Sequence, residues 1–118
     1  MNRYHAIDPA VLMAAAGDRA TFDALSRTFL VCAPPIASAL RQALAAGQHG
    51  AIGQHSHALK GMTMLVGAAE LTALLQQLET AARALLPAPV AASLLESRFE
   101  QVLREVALSL DHGGDDGH

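Results

Sequence analysis

The sequence predicts an all-α fold, an antiparallel four-helix bundle with a short additional N-terminal helix. Three observations carry that expectation. Alanine and leucine, both strong helix formers, dominate an apolar content of 52%, whereas aromatic residues make up only 3%. Apolar residues recur at three- and four-residue spacing through long stretches. The breaks between those stretches are short: Gly17-Asp18, Gly47, Gly67 and Pro87-Ala88-Pro89. Long amphipathic helices with short joints bury their stripes by packing against one another as antiparallel neighbours.

Asp8-Pro9 reads as a helix start, an aspartate N-cap followed by a proline at the first helical position. Val11, Leu12 and Ala15 then form a short apolar stripe that Gly17 ends. Asp18 caps the next helix, where Phe22, Leu25, Phe29 and Leu30 keep the helical period. Pro34-Pro35 interrupts the pattern, but Ile36, Leu40 and Leu44 resume it on a compatible face, which predicts one long kinked helix from Asp18 to Ala46 rather than two. A third helix is expected from about Ala51 to Val66, ending at Gly67, and a fourth from Ala68 or Ala69 to about Leu85, with Leu71, Leu74, Leu75, Leu78 and Ala82 inward. After the proline linker, Leu94, Leu95, Phe99, Val102, Leu103 and Val106 predict a last helix from Val90 to Leu110. Residues 1–110 are thus expected to form one domain, and the Gly/Asp/His-rich residues 111–118 a disordered tail.

Composition narrows the function. A net charge of −3 with scattered basic residues disfavours nucleic acid. The single Cys32, read as a small buried hydrophobe, leaves no intramolecular disulfide or cysteine zinc site and suits a reducing compartment. Arg3, His5 and Asp8 leave no room for a signal-peptide core, and no apolar run approaches the length of a membrane span, so a cytoplasmic location without membrane contact is expected.

Chemistry concentrates at His57-Ala58-Leu59-Lys60-Gly61. Lys60 and Gly61 lie three and four residues after His57 and so share its helix face. Counting about 100° per residue, Ile52, Leu59, Met62, Thr63 and Val66 fall on the opposite half, so the histidine looks outward from a helix whose back is core. Gly53, Gln54 and Met64 lie on the histidine side, where Gln54 and Met64 are expected to meet a partner. A mid-helix glycine costs about 1 kcal/mol relative to alanine, so Gly61 reads as an opening for an approaching molecule. His55 and His57 project about 200° apart and cannot share a metal ion, and no metal site is expected. The remaining histidines, His5, His49, His112 and His118, read as solvated.

The stretch His57 to Ala68 resembles the signature of histidine-containing phosphotransfer (HPt) domains: a His-x-Leu-Lys-Gly core, Gly-Ala after five further residues (Gly67-Ala68), then a leucine-rich helix ending in Leu-Glu (Leu78-Glu79). The Gly17-Asp18 turn, Phe22, Phe29 and the closing Leu40, Ala43, Leu44 and Gly47 are similar to the family's earlier pattern. Met62, Leu65 and Gln48 depart from it, where a small residue, a polar or small residue and aspartate are frequent.

The resemblance implies a monomeric bundle in which His57 accepts a phosphoryl group from a receiver-domain aspartyl phosphate and passes it to another receiver's aspartate. Lys60 is implied to offset phosphate charge and Gly61 to admit the receiver's rim. Glu79 is implied to hydrogen-bond the ring and hold its tautomer. Receiver domains of response regulators or of a hybrid sensor kinase are the implied partners, and they supply Mg²⁺, so the chain needs no cofactor of its own. The module has no ATP-dependent kinase motif. The phosphoacceptor domain of a chemotaxis-type histidine kinase and a non-phosphorylated receiver-binding scaffold are the alternatives. Met62-Thr63-Met64 and Ala68 do not match the first, and the presence of His57 argues against the second.

Overall fold

The helix boundaries of this chain follow its capping residues. In the computed structural model, which describes residues 4–111, five helices and no strand occur among those residues: α1 (Pro9–Ala16), α2 (Arg19–Ala46), α3 (His49–Leu65), α4 (Ala69–Arg83) and α5 (Ala92–Asp111). The Asp8 carboxylate accepts from the Ala10 N–H and that of Asp18 from Thr21 N–H, so each aspartate satisfies a backbone donor that its helix leaves open. Gly47 and Gly67, at φ of +65° and +72°, close α2 and α3 with paired bonds, Gln48 N–H to Ala43 O and Gly47 N–H to Leu44 O, then Ala68 N–H to Thr63 O and Gly67 N–H to Met64 O. α4 ends with the same pair, Leu86 N–H to Ala81 O and Leu85 N–H to Ala82 O. There the left-handed residue is Leu85, at φ +59°.

α2 runs unbroken through Pro34 and Pro35, so the single-helix expectation holds. Two prolines remove the N–H groups that the Leu30 and Val31 carbonyls would accept from. Val31 and Pro35 are exposed, and water can take the freed carbonyl on that side. Phe29 and Ala33 before the prolines, with Leu40 after them, are buried, so both halves turn an apolar stripe to the core. Length and composition would let α2 cross a membrane, at a mean hydropathy of 1.3 over 18 residues, but the core helix of a soluble protein passes the same test.

α3 packs most closely on α4, α2 lies against α3 and α5, and α1 rests mainly on α2. Gly53 is buried in the α3–α4 seam, where an added Cβ would sit 3.8 Å from both Ala82 and Arg83. The core is made by Phe22, Phe29 and Leu40 of α2, Leu59 of α3, Leu71, Leu75 and Leu78 of α4, and Phe99, Val102 and Val106 of α5.

Glu105 organises the N-terminal segment. It is buried on α5, and its Oε1 accepts from the backbone N–H of His5, Ala6 and Ile7 at 2.9, 2.8 and 3.2 Å, while Gln101 donates to Oε2 at 3.2 Å. Asp8 N–H then reaches Val66 O at 3.3 Å, which lays the segment over Gly67.

Several expectations are corrected. α3 begins at His49, two residues closer to Gly47 than Ala51, because Ile52 N–H already bonds Gln48 O. α4 ends at Arg83, where left-handed Leu85 closes it, and α5 begins only at Ala92, beyond the proline linker, although Val90 is buried. In α1 only Leu12 is buried, and Val11 and Ala15 face outward. Leu94 is exposed on α5. Cys32 is exposed, because Phe29 and Ala33 take the inward stripe and leave it off the edge. Asp111 is helical, and residues 112–118 of the expected tail lie outside the described residues.

Candidate functional site

α3 and α4 lie side by side along their length, so polar residues one turn apart on each meet across the seam. His57 and Lys60 come from α3, and Gln76, Glu79 and Arg83 from α4, where three- and four-residue spacing stacks them on one face. Glu79 is the centre of the group, with its side chain only 8% exposed. Its Oε2 lies 2.9 Å from His57 Nδ1, and its Oε1 2.7 Å from Lys60 Nζ. Arg83 donates to Oε2 from Nε at 3.1 Å and from Nη2 at 2.9 Å. Lys60 also donates to Gln76 Oε1 at 2.7 Å.

The electrostatics follow from those contacts. The Lys60 hydrogen bond, reinforced by Arg83 and His57 and opposed by burial, lowers the Glu79 pKa from 4.5 to about 2. The carboxylate is therefore ionised at neutral pH and can only accept. The proton of a neutral His57 ring then sits on Nδ1, and the lone pair is left on Nε2. The ring itself is 61% exposed. A tautomer held from one side, on a ring open on the other, is a nucleophile ready for an electrophile from solution.

Gly61 is exposed, and an added Cβ would find no atom within 4 Å. Gln54 is exposed too, and Met64 is 57% exposed. Gly61, Gln54 and Met64 are thus all open to solvent, and Lys60 departs from expectation. The Lys60 side chain, expected to be exposed, is only 17% exposed because Glu79 and Gln76 draw it into the seam. Met62 and Leu65 pack partly against the core. Of the histidines read as solvated, His5 is exposed, whereas His49 is half-buried with Nδ1 lacking a hydrogen-bond partner. His112 and His118 lie outside the described residues. No cluster of three or more metal-ligating side chains occurs among the described residues.

Sequence reasoning missed Arg83 and Gln76. The signal was there: Arg83 follows Glu79 by four residues and Gln76 precedes it by three, so both share its helix face.

The Hpt domain family model matches residues 24–108, most of the chain. The chain belongs to the Hpt domain family. A crystal structure of histidine-containing phosphotransfer protein B (HptB) from Pseudomonas aeruginosa PAO1 is similar, with a TM-score of 0.79 and 25% sequence identity over 91% of this chain and 96% of that one. A search of curated proteins found no match. Membership of the Hpt family gives the chain a histidine phosphotransfer role in phosphorelays, in a family of transfer modules rather than kinases.

Proposed function

We propose that His57 is the phosphoacceptor of a phosphorelay intermediary. Its Nε2 lone pair attacks the phosphorus of a receiver's aspartyl phosphate; the N–P bond forms, the P–O bond to the aspartate breaks, and the carboxylate leaves on the receiver. No proton has to move, because Nδ1–H stays on Glu79 while the ring takes up positive charge. A second receiver's aspartate reverses the step. The observation that carries this reading is the 2.9 Å contact between Nδ1 and Glu79, which leaves Nε2 as the free nucleophile of an exposed ring.

In this reading Lys60 and Glu79 set the local charge and the tautomer, and Gly61, Gln54 and Met64 form the face on which a receiver docks. The receiver brings Mg²⁺ and the acid chemistry, so this chain supplies neither cofactor nor kinase activity. Residues 1–110 act as one monomeric, cytoplasmic domain in which α2–α5 form an antiparallel four-helix bundle under α1.

The test is phosphotransfer from a panel of phosphorylated receiver domains. Wild type and His55→Gln should take up acid-labile, base-stable label, and His57→Gln should take up none. Label that persists in His57→Gln would overturn the assignment.

A further inference from the structure

The cations around Glu79 are not equivalent. Lys60 is 17% exposed and held twice, by Glu79 Oε1 and by Gln76 Oε1, both at 2.7 Å. Arg83 is 63% exposed and has one acceptor, Glu79 Oε2, the same oxygen that His57 Nδ1 contacts. Its guanidinium therefore lies within two hydrogen-bond lengths of the imidazole, on a long flexible stem.

The surface relief separates the two in the same sense. His57 and Arg83 line a common groove of about 440 Å³ with His49 and Gln54, and no acidic side chain lines it. Lys60 lines a different groove, together with Gln76, Met64 and Asp8, whose carboxylate would repel a phosphoryl group. One carboxylate faces two full positive charges, so the cluster carries a surplus cation before phosphate arrives.

Resting on the reading of His57 as phosphoacceptor, we propose that Arg83, rather than Lys60, is the cation that meets the phosphoryl group on Nε2. Arg83 leaves Oε2 and turns along the shared groove to the phosphoryl oxygens, where its planar fork of donors suits the geometry of a phosphate. Lys60 stays on Glu79 and Gln76, keeping the carboxylate paired and Nδ1–H held. Arg83 thus guards the acceptor in the resting state and neutralises the product after transfer.

The test uses the full chain phosphorylated with phosphoramidate, a small donor that removes any receiver from the measurement. Phosphorus NMR follows the second ionisation of the phosphohistidine phosphoryl group. A cation in contact favours the dianion and lowers its midpoint. Arg83→Gln should raise that midpoint by about 0.3–0.7 units, a two- to fivefold change of the size a partly exposed ion pair carries, and Arg83→Lys should recover part of it. A role confined to positioning Glu79 would not move this midpoint. It would appear instead in the nitrogen-15 tautomer pattern of the unphosphorylated ring. A phosphorylated His57 whose midpoint ignores Arg83→Gln overturns this inference and leaves the phosphoacceptor reading intact. Label surviving in His57→Gln overturns both.

Discussion

Glu79 is the residue on which the site turns, since it is buried, ionised and shared among three partners. Its position at the end of the fourth helix's leucine stripe was legible in sequence, whereas a bond to the ring was only implied by the family resemblance. Its depth was not, because burial depends on how closely α3 and α4 approach. The difference changes what substitutions do. Glu79→Gln retains an oxygen for Nδ1–H but removes the charge that Lys60 and Arg83 answer, so it should be destabilised by about 2–3 kcal/mol at neutral pH while keeping its tautomer. Glu79→Ala should lose both. Nitrogen-15 NMR of the imidazole reads the tautomer, and urea midpoints read the stability. A ring protonated mainly on Nε2 in the wild-type domain would remove Glu79 from the proposed mechanism.

At the scale of the element, three helices end in the same paired-bond motif, but only two place glycine at the left-handed position. Leu85 takes that conformation at φ +59° with its side chain 72% exposed, so little packing offsets the strain of a side chain there. Leu85→Gly should therefore stabilise the protein by about 0.5–1 kcal/mol, the relief of strain outweighing glycine's extra entropy in the unfolded chain. Gly67 is the opposite case. A Cβ there would lie 2.7 Å from Asp8 O and 2.9 Å from Asp8 N, at a φ of +72°. Gly67→Ala should lower stability by more than about 1 kcal/mol and loosen the segment that Glu105 holds. Calorimetry checks both changes, and hydrogen exchange at the His5, Ala6 and Ile7 amides checks the second. The glycines at helix ends were visible in sequence. The leucine doing a glycine's task was not, because nothing local distinguishes Leu85 from Leu86.

Across the whole molecule, two behaviours separate folding from association. Gly61 faces open space, so Gly61→Gln meets no internal clash and should favour the helix slightly. Any loss of transfer then reflects docking: KM for a cognate receiver should rise with little change in melting temperature. An unaltered transfer rate would show that the receiver does not approach over Gly61. The acid response belongs to the same scale. Glu79 has a folded pKa of about 2 against an ordinary 4.5, so between those values the native state binds fewer protons than the unfolded one. The stability it contributes is complete above 4.5 and is lost as the pH falls toward 2. Urea midpoints of wild type and Glu79→Gln should differ most at neutral pH and converge through that window.

The sequence by itself determined the helices and those of their ends that an aspartate cap or a glycine marks, because caps, glycines and apolar period act within a turn or two of chain. It also determined the outward face of His57, since one helix's angular pattern decides which side meets the core. Distances between helices are not a local property, and there the tertiary structure decided. Close packing of α3 on α4, through Gly53 and Ala82, drew Lys60 out of solvent onto Glu79 and set Arg83 beside the imidazole. Glu105, which sequence alone leaves as one more charge on a polar face, became the anchor of a segment nearly 100 residues away. The physical reason is common to both: a charged side chain's role depends on which partners replace water around it, and those partners come from other elements.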